Sequence, residues 1–177
     1  IDRLVVQAPT IRDRVQSSLD SQQNSVVSIP APTEEPNTHI ATKQARQQLD
    51  LPTNFSLLLF FGGLRYDKGT DIFADAVQKI ECPVAAVFAG SEVHFETNDI
   101  ERWKENCPAN VRLISRAQYI PEEDVYAYFS AADALVLPYR RRYGISGPMR
   151  RACMVGTPII GSTDTDIGAL IEQNNLG

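Results

Sequence analysis

The stretch Phe55-Ser-Leu-Leu-Leu-Phe-Phe61-Gly62-Gly63 decides the fold of this chain. Its first seven residues are almost continuously apolar, and two glycines end the run. Strands that are covered by helices on both faces have this short, apolar composition. We therefore predict a central parallel strand over residues 55–61 and a turn at Gly62-Gly63.

Strand and helix patterns alternate from this strand to the end of the chain. A helix begins at Thr70, and a strand at 84–89 ends at Gly90. The later predicted elements are a helix and strand within 99–113, a helix starting at Pro121, a strand at 134–137, a helix at 147–155, a strand at 157–161 and a helix from 166 to 172. This alternation predicts an α/β fold, a Rossmann-like open parallel sheet with helices on both faces.

The residues before this region predict a domain boundary. A strand at 3–8 and a helix at 10–19, capped by Thr10, come first, and prolines then cluster at Pro30, Pro32 and Pro36. Proline resists both helix and sheet, so this cluster is typical of a linker. We predict the tail of a preceding domain at 1–29, a linker at 30–38 and the main domain at 39–177, starting with a helix at 42–49. The chain lacks an initial methionine, so we expect a piece of a longer protein, truncated at its C-terminus.

Composition argues against several classes of function. A net charge of −5 gives no general basic field for nucleic acid or anionic membranes. No apolar run approaches the roughly 20 residues that span a bilayer, so no transmembrane segment is predicted. Cys82, Cys107 and Cys153 are odd in number and widely spaced, which favours free thiols in a reducing compartment such as the cytoplasm.

The turn after the central strand carries two cations. Arg65 and Lys68 follow Gly62-Gly63 and precede the helix that begins at Thr70. Parallel sheets bind ligands beyond the carboxyl ends of their strands, and helix N-termini favour anions. An arginine fork and a lysine point charge suit phosphate oxygens. The pattern predicts a phosphate site, although a glycine turn with solvated charges explains it equally well.

A second turn of this kind is Ser146-Gly147-Pro148, between the strand at 134–137 and the helix at 147–155. Ser146 is a candidate N-cap, and Arg140, Arg141 and Arg142 stand just before the turn. A helix cap beside a solvated basic run is the alternative. Because both turns end strands of one sheet, we predict that a diphosphate lies between them.

Competing motifs are weaker. Neither Gly-x-Gly-x-x-Gly nor a Walker-type phosphate loop is present, and Gly144-Ile-Ser-Gly-Pro148 has proline where a hydrolase nucleophile turn needs glycine. Asp164 and Asp166 could form a metal-binding acidic pair, but Asp166 fits a helix cap better. His94 with Glu92 and Glu96 is more typical of a solvated loop than of a metal cluster. We predict no metal site.

Two longer segments carry a family resemblance. The segment Phe60-Phe-Gly-Gly-Leu-Arg-Tyr-Asp-Lys-Gly69 has a strand, glycine, a basic residue and Lys-Gly. The segment Tyr119-Ile-Pro-Glu-Glu-Asp-Val-Tyr-Ala-Tyr-Phe-Ser-Ala-Ala-Asp-Ala-Leu-Val-Leu-Pro-Tyr139 is a longer match, and 149–160 and 171–177 continue it. Both resemble the C-terminal, donor-binding half of the GT-B glycosyltransferases of family 4, the group 1 glycosyl transferases.

The resemblance implies a function. A nucleotide-diphosphate sugar would donate its sugar to a saccharide or lipid-linked acceptor, with retention and without metal or another cofactor. The cytoplasmic chain would supply the donor site, while the catalytic groups and any membrane association would belong to the missing part. The implied diphosphate contacts are Gly62, Gly63, Arg65, Lys68, Ser146 and Gly147. The implied nucleoside or sugar contacts are Tyr119, Ile120, Tyr139, Tyr143 and Arg151.

The chain also departs from the family pattern. Tyr143 and Arg151 occupy the positions where most members carry a pair of glutamates, and Gly63 occupies that of the usual arginine. Ser146-Gly147 fits a variant with a Ser-Gly pair at this turn. The missing carboxylates keep open a noncatalytic nucleotide-sugar-binding module, while nothing distinguishes a GT-B epimerase or phosphorylase.

Overall fold

The computed structural model of the protein describes residues 3–7, 9–18, 25–29, 40–140 and 146–177. Its first unit has strand β1 (Arg3–Val6), helix α1 (Pro9–Ser18) and strand β2 (Ser25–Ser28), and the two strands pair in parallel. The helix begins at Pro9, where a missing N–H is harmless, so the prediction that Thr10 caps it is wrong. The predicted linker at 30–38 lies outside the described residues.

The main unit alternates helices and strands as predicted. A short 3₁₀ turn at Tyr66–Lys68 was not predicted. The elements are α2 (Thr42–Gln48), β3 (Ser56–Phe61), α3 (Thr70–Val77), β4 (Val84–Ala89), α4 (Thr97–Glu105), β5 (Val111–Arg116), α5 (Glu122–Ala131), β6 (Ala134–Leu137), α6 (Gly147–Val155), β7 (Ile159–Gly161) and α7 (Asp166–Asn174).

The five strands form one parallel sheet in the order β5-β4-β3-β6-β7. The predicted central strand is confirmed, since β3 pairs with β4 on one side and with β6 on the other. The chain order therefore reverses between β3 and β6. In open α/β sheets such a switch point opens a crevice beyond the carboxyl ends of the strands, where ligands bind.

Helices cover both faces of this sheet. Leu57, Leu59 and Phe61 of β3 belong to one buried cluster, and Phe60 belongs to the other, as the pleat of a strand requires. The second cluster includes Phe88, whose ring centroid lies 6.0 Å from that of Phe60. Each buried aromatic side chain of this size contributes about 1.5–3 kcal/mol to folding. The apolar run in the sequence was therefore a reliable sign of a central strand.

An ion pair between buried Arg46 and half-exposed Asp133 joins elements at the amino-terminal edge of the sheet. Arg46 of α2 is only 6% exposed and donates to the carbonyl oxygens of Ala131 (2.9 Å) and Phe55 (3.0 Å). Its Nη2 also donates to Asp133 Oδ2 at 2.8 Å. The same carboxylate accepts the N–H of Leu57 at 2.6 Å. This network holds α2 and α5 against the start of the sheet, and no sequence pattern predicted it.

Several predicted boundaries need correction. Pro121 precedes α5 as its N-cap instead of opening the helix. Helix α4 begins at Thr97, two residues early, because Glu96 and Asp99 form a capping box. Thr165, rather than the predicted Asp166, caps α7, since the Thr165 hydroxyl accepts the Gly168 N–H at 3.1 Å.

Candidate functional site

The turns that follow β3, β4 and β6 touch one another at the carboxyl edge of the sheet. The Gly62 N–H donates to the Ala89 carbonyl at 2.8 Å. A Cβ at Gly90 would collide with the Gly62 carbonyl oxygen, and a Cβ at Gly69 with the Pro138 carbonyl oxygen. Gly69 and Gly90 also have φ of +68° and +139°, which residues with a side chain rarely adopt. A side chain at either position is therefore disfavoured both by the clash and by the backbone conformation. The chain thus brings three loop backbones together at the switch point.

Lys68 and Gly62, both predicted to belong to the phosphate turn, lie close together. Lys68 ends the 3₁₀ turn, and its Nζ lies 2.6 Å from the place that a Cβ on Gly62 would occupy. Gly62 has a φ of +114°, which side chains rarely adopt. The missing side chain therefore makes room for the ammonium group directly over the backbone of the turn. Lys68 and Gly62 therefore belong to one turn at the carboxyl end of β3.

Arg65 lies in the same turn and is engaged by a neighbouring carboxylate. Its Nε donates to Asp67 Oδ1 at 2.8 Å, and its Nη2 donates to Asp67 Oδ2 at 3.1 Å. The two side chains are 46% and 42% exposed, respectively. Gly63, the remaining predicted member of this turn, lies beside exposed Val93, whose Cγ2 would be 3.2 Å from an added Cβ. The turn therefore presents a solvent-facing arginine fork that is already paired.

Arg140 joins the turn after β6 to the turn after β3. Its guanidinium donates to both carboxylate oxygens of Asp71, each at 2.7 Å, and to the Tyr66 carbonyl at 2.6 Å. The same group stacks on the Tyr66 ring, 3.9 Å from its centroid. The backbone N–H of Arg140 donates to the Asp67 carbonyl at 2.9 Å. For Arg140, the alternative of a solvated basic run is wrong, while Arg141 and Arg142 lie outside the described residues.

This Arg140 pair changes the titration of its partner. Hydrogen bonding to the Arg140 guanidinium lowers the pKa of Asp71 below its ordinary value of 3.8. The carboxylate is therefore charged throughout the neutral range. Asp71 lies in the first turn of α3 and Arg140 follows β6, so both lie at the carboxyl edge of the sheet. An acid and a base at the same edge are the sequence signal that could have predicted this pair.

Ser146 occupies the predicted N-cap position of α6, but its side chain points elsewhere. The residue is 1% exposed, its hydroxyl makes no capping hydrogen bond, and its Oγ lies 3.1 Å from the hydroxyl of buried Tyr139. Gly147 begins the helix, with nothing within 4 Å of an added Cβ. The Ser146-Tyr139 pair thus packs beneath the second turn. Tyr143, predicted beside it, lies outside the described residues.

The other predicted nucleoside or sugar contacts separate into different environments. Tyr119 is 74% exposed, whereas its neighbour Ile120 is part of the buried core. Arg151 of α6 donates to Glu122 Oε1, in the first turn of α5, at 2.8 Å. Arg151 therefore links α6 to α5. The pair places the Glu122 carboxylate beside a position where most members of the resembled family carry a glutamate and this chain carries Arg151.

The competing sites receive no support from the described residues. His94 is not simply solvated, because its Nδ1 accepts the backbone N–H of Tyr66 at 3.2 Å. No group of three potential metal ligands occurs within the described ranges. The cysteines are free thiols, and burial raises the pKa of Cys107 and Cys153, so both stay protonated at neutral pH. Within the part that the structure describes, no helix is long and apolar enough to cross a membrane.

A cleft of about 340 Å³ lies away from these turns. It is lined by residues of the α6 C-terminus, the start of β7 and the segment after α7, including Cys153, Pro158 and Leu176. These residues lie at the amino end of β7, opposite the edge at which parallel sheets bind ligands. The carboxyl edge therefore remains the candidate site.

The fold is an open parallel α/β sheet with a candidate site at its carboxyl edge, and comparison with known proteins identifies the family. Residues 56–177 match the family model described as glycosyl transferases group 1, and the chain belongs to this family. It is also similar to D-inositol 3-phosphate glycosyltransferase of Corynebacterium jeikeium (strain K411), with 24% identity over 152 residues. That match covers 80% of this chain and 35% of the relative, so the chain spans about a third of the relative's length.

Solved glycosyltransferases share the fold. Sucrose-phosphate synthase of Thermosynechococcus elongatus superposes with a TM-score of 0.69 at 20% identity, over 96% of this chain and 43% of that chain. Anabaena HepE in complex with UDP-glucose superposes with a TM-score of 0.65 at 16% identity, over 96% and 47% of the two chains. The predicted family and the Rossmann-like fold are confirmed.

Proposed function

We propose that this chain is the donor-binding half of a glycosyltransferase that uses a nucleotide-diphosphate sugar. The observation that carries the proposal is the meeting of three strand-to-helix turns at the β3–β6 switch point, with the Lys68 ammonium over the Gly62 backbone. Arg65 lies three residues before Lys68 in the same turn. Backbone that approaches closely and two cations are what a diphosphate needs.

The proposed chemistry follows from where charge develops. When the bond between the sugar and the diphosphate breaks, negative charge builds on the leaving phosphate oxygens. Arg65 and Lys68 are positive groups that would stabilise this charge, a role that bound metal ions perform elsewhere. We therefore extend the proposal to metal-independent transfer, and the family resemblance supports retention of configuration.

The acceptor and the catalytic groups are assigned to another domain. The chain covers 43% of sucrose-phosphate synthase and 47% of HepE, so similar proteins contain a second half of comparable size. A saccharide or lipid-linked acceptor would bind across the crevice from the switch point. On this proposal, residues 40–177 bind the donor but do not transfer its sugar alone.

A noncatalytic nucleotide-sugar-binding module is the second candidate. It is favoured by Arg151, which stands at a position of the usual glutamate pair and is itself paired with Glu122. A module of this kind would bind a donor and release no nucleoside diphosphate. The two candidates therefore differ in turnover, not in binding.

The test uses the intact protein and a panel of UDP-, GDP- and ADP-sugars. Calorimetry measures donor binding, and release of nucleoside diphosphate in the presence of saccharide and lipid-linked acceptors measures transfer. We expect Lys68→Ala to weaken donor binding about tenfold or more, since it removes a charge-assisted phosphate contact. Lys104→Ala is the matched control, because Lys104 pairs with Glu101 on the surface of α4.

The outcomes separate the candidates. Binding with turnover supports the transferase, and binding without turnover across the panel supports the module. Equal donor affinities of wild type, Lys68→Ala and Lys104→Ala would reject the donor site. A large loss of donor affinity in Asp164→Ala would also reject it, because Asp164 belongs to the competing acidic pair.

A further inference from the structure

Asp67 holds the arginine that the proposed donor site needs. We propose that Asp67 is an internal competitor of the donor diphosphate for the Arg65 guanidinium, and that it thereby limits affinity and speeds release of the nucleoside diphosphate. The inference rests on the proposed function and adds to it a residue that sets how tightly the site holds its ligand.

The contact geometry is that of a direct competition. The Asp67 carboxylate occupies Nε and Nη2 of Arg65 at 2.8 and 3.1 Å, which is a two-pronged pairing. A phosphate group would present two oxygens to the same fork. Because the two ligands need the same N–H groups, Arg65 can be paired in this way with only one of them at a time.

The backbone keeps Asp67 beside the fork. Its carbonyl oxygen accepts the Arg140 N–H at 2.9 Å, and Asp67 lies inside the 3₁₀ turn that Lys68 ends. The exchange therefore requires rotation of side chains and no rearrangement of the turn. The displaced carboxylate stays close to Arg65, so it returns when the ligand leaves.

Exposure makes the exchange reversible. Both side chains of the Arg65–Asp67 pair are more than two-fifths exposed, at 46% and 42%. Water and salt weaken ion pairs at such positions, and they are readily broken. The Arg140–Asp71 pair in the same site is less exposed, at 29% and 28%, and is bonded through both oxygens at 2.7 Å. Arg65 is thus the exchangeable arginine, and Arg140 is the fixed one.

Competition of this kind has a consequence for turnover. After sugar transfer, the nucleoside diphosphate keeps its negative charge and its affinity for the cationic turn. Re-pairing of Asp67 with Arg65 lowers the free energy of the empty site, and so it favours dissociation. Removal of the Asp67 charge should make the product bind more tightly and leave more slowly.

The experiment compares four forms of the intact protein: wild type, Asp67→Asn, Arg65→Ala and the double variant. Calorimetry with UDP, GDP and ADP measures affinity, and stopped-flow displacement measures the dissociation rate. We expect Asp67→Asn to bind the preferred nucleoside diphosphate about two- to fivefold more tightly, the range of an exposed ion pair, through slower dissociation. In the Arg65→Ala background, the same substitution should leave affinity nearly unchanged.

Helix α1 offers a matched control. Arg12 and Asp13 form another exposed pair of sequence neighbours, 2.7 Å apart, in α1. Asp13→Asn removes the same charge from the protein and should alter neither affinity nor dissociation. Asp67→Ser removes the charge with a smaller side chain and repeats the test if Asp67→Asn lowers the melting temperature.

Three results would overturn the exchange. Unchanged or weaker binding by both Asp67 variants would show that the carboxylate does not compete. An equal gain of affinity in the Arg65→Ala background would show simple charge repulsion instead of exchange. A wild-type protein that binds none of the three nucleoside diphosphates would reject the donor site, and this failure is distinguishable because it precedes any comparison of variants.

Discussion

Two arginine–aspartate pairs lie at opposite edges of the same sheet. Arg46 and Asp133 meet at the amino-terminal edge, and Arg140 and Asp71 meet at the carboxyl edge. Each arginine also donates to backbone carbonyl groups, Arg46 to two of them and Arg140 to Tyr66. The Arg46 side chain is nearly enclosed although its partner Asp133 is half exposed, whereas both side chains of the Arg140–Asp71 pair are partly open to solvent.

The difference in burial between Arg46 and Arg140 indicates which pair stabilises the fold and which pair shapes the candidate site. An enclosed guanidinium that loses its partners costs much free energy, so the Arg46–Asp133 pair mainly affects the stability of the fold. A partly exposed pair contributes little free energy, but it can fix the geometry of a turn. We infer that Arg46 holds the scaffold together and that Arg140 positions the donor turn.

The largest expected effect is on stability. Asp133→Ala leaves the buried Arg46 guanidinium and the Leu57 N–H without this partner, and we expect a loss of about 2–3 kcal/mol in the free energy of unfolding. Guanidinium chloride denaturation measures it. Glu101→Ala, which removes the exposed partner of Lys104, is the control and should change stability by less than about 1 kcal/mol. Similar losses in both variants would contradict the distinction between the pairs.

The next effect concerns the contact between the two turns at the carboxyl edge. Gly69→Ala forces a side chain onto the Pro138 carbonyl at a φ of +68°, so we expect a loss of about 2 kcal/mol together with weaker donor binding. Gly147→Ala meets nothing within 4 Å and should be close to neutral for stability. Thermal unfolding and calorimetry test both variants. A tolerated alanine at Gly69 would mean that the turns do not touch as described.

Arg140→Lys should weaken donor binding more than it weakens the fold. Lysine cannot bridge both oxygens of Asp71 and also stack on Tyr66, so the 3₁₀ turn loses its support. We expect about a tenfold loss of donor affinity and a loss of stability below about 1 kcal/mol. Unchanged affinity, or a stability loss as large as that of Asp133→Ala, would reject a positioning role.

The smallest effect is a dependence on pH. The folded-state pKa of Asp71 is lowered by Arg140 below its ordinary value of 3.8, so the pair stabilises the fold above that pH, and the contribution is lost as pH falls through the lowered pKa. Wild type and Asp71→Asn should differ by less than about 1 kcal/mol at neutral pH, and the gap should close as the pH falls through the lowered pKa of Asp71. Urea denaturation across this range measures it. A gap that widens in acid has the wrong sign for this explanation.

Local patterns predicted most of the elements. The strand at 84–89 and the helix at 147–155 have the predicted bounds, because apolar runs and helical spacing are properties of neighbouring residues. The Gly62–Lys68 turn was predicted for the same reason. Its role in binding a diphosphate stays a prediction.

Sequence patterns did not predict the long-range pairs. Arg46 and Asp133 are 87 residues apart, and Arg140 and Asp71 are 69 apart, and no periodicity joins residues at such distances. The basic run at Arg140 was interpreted either as an anion site or as a solvated surface. The structure shows a third arrangement, in which Arg140 is the support of the other turn.

The sequence by itself determined the alternation of strands and helices, the family and the turn in which Lys68 stands close to glycine. These follow from short-range properties: burial pattern, backbone freedom and charge near a helix start. Only the tertiary structure decided which distant charges are paired, because those pairs depend on the strand order that brings β3 beside β6. That order encloses Arg46 in the scaffold and makes Arg140 a bridge between two turns. Arg65 instead pairs locally with Asp67, the partner that we propose a diphosphate replaces.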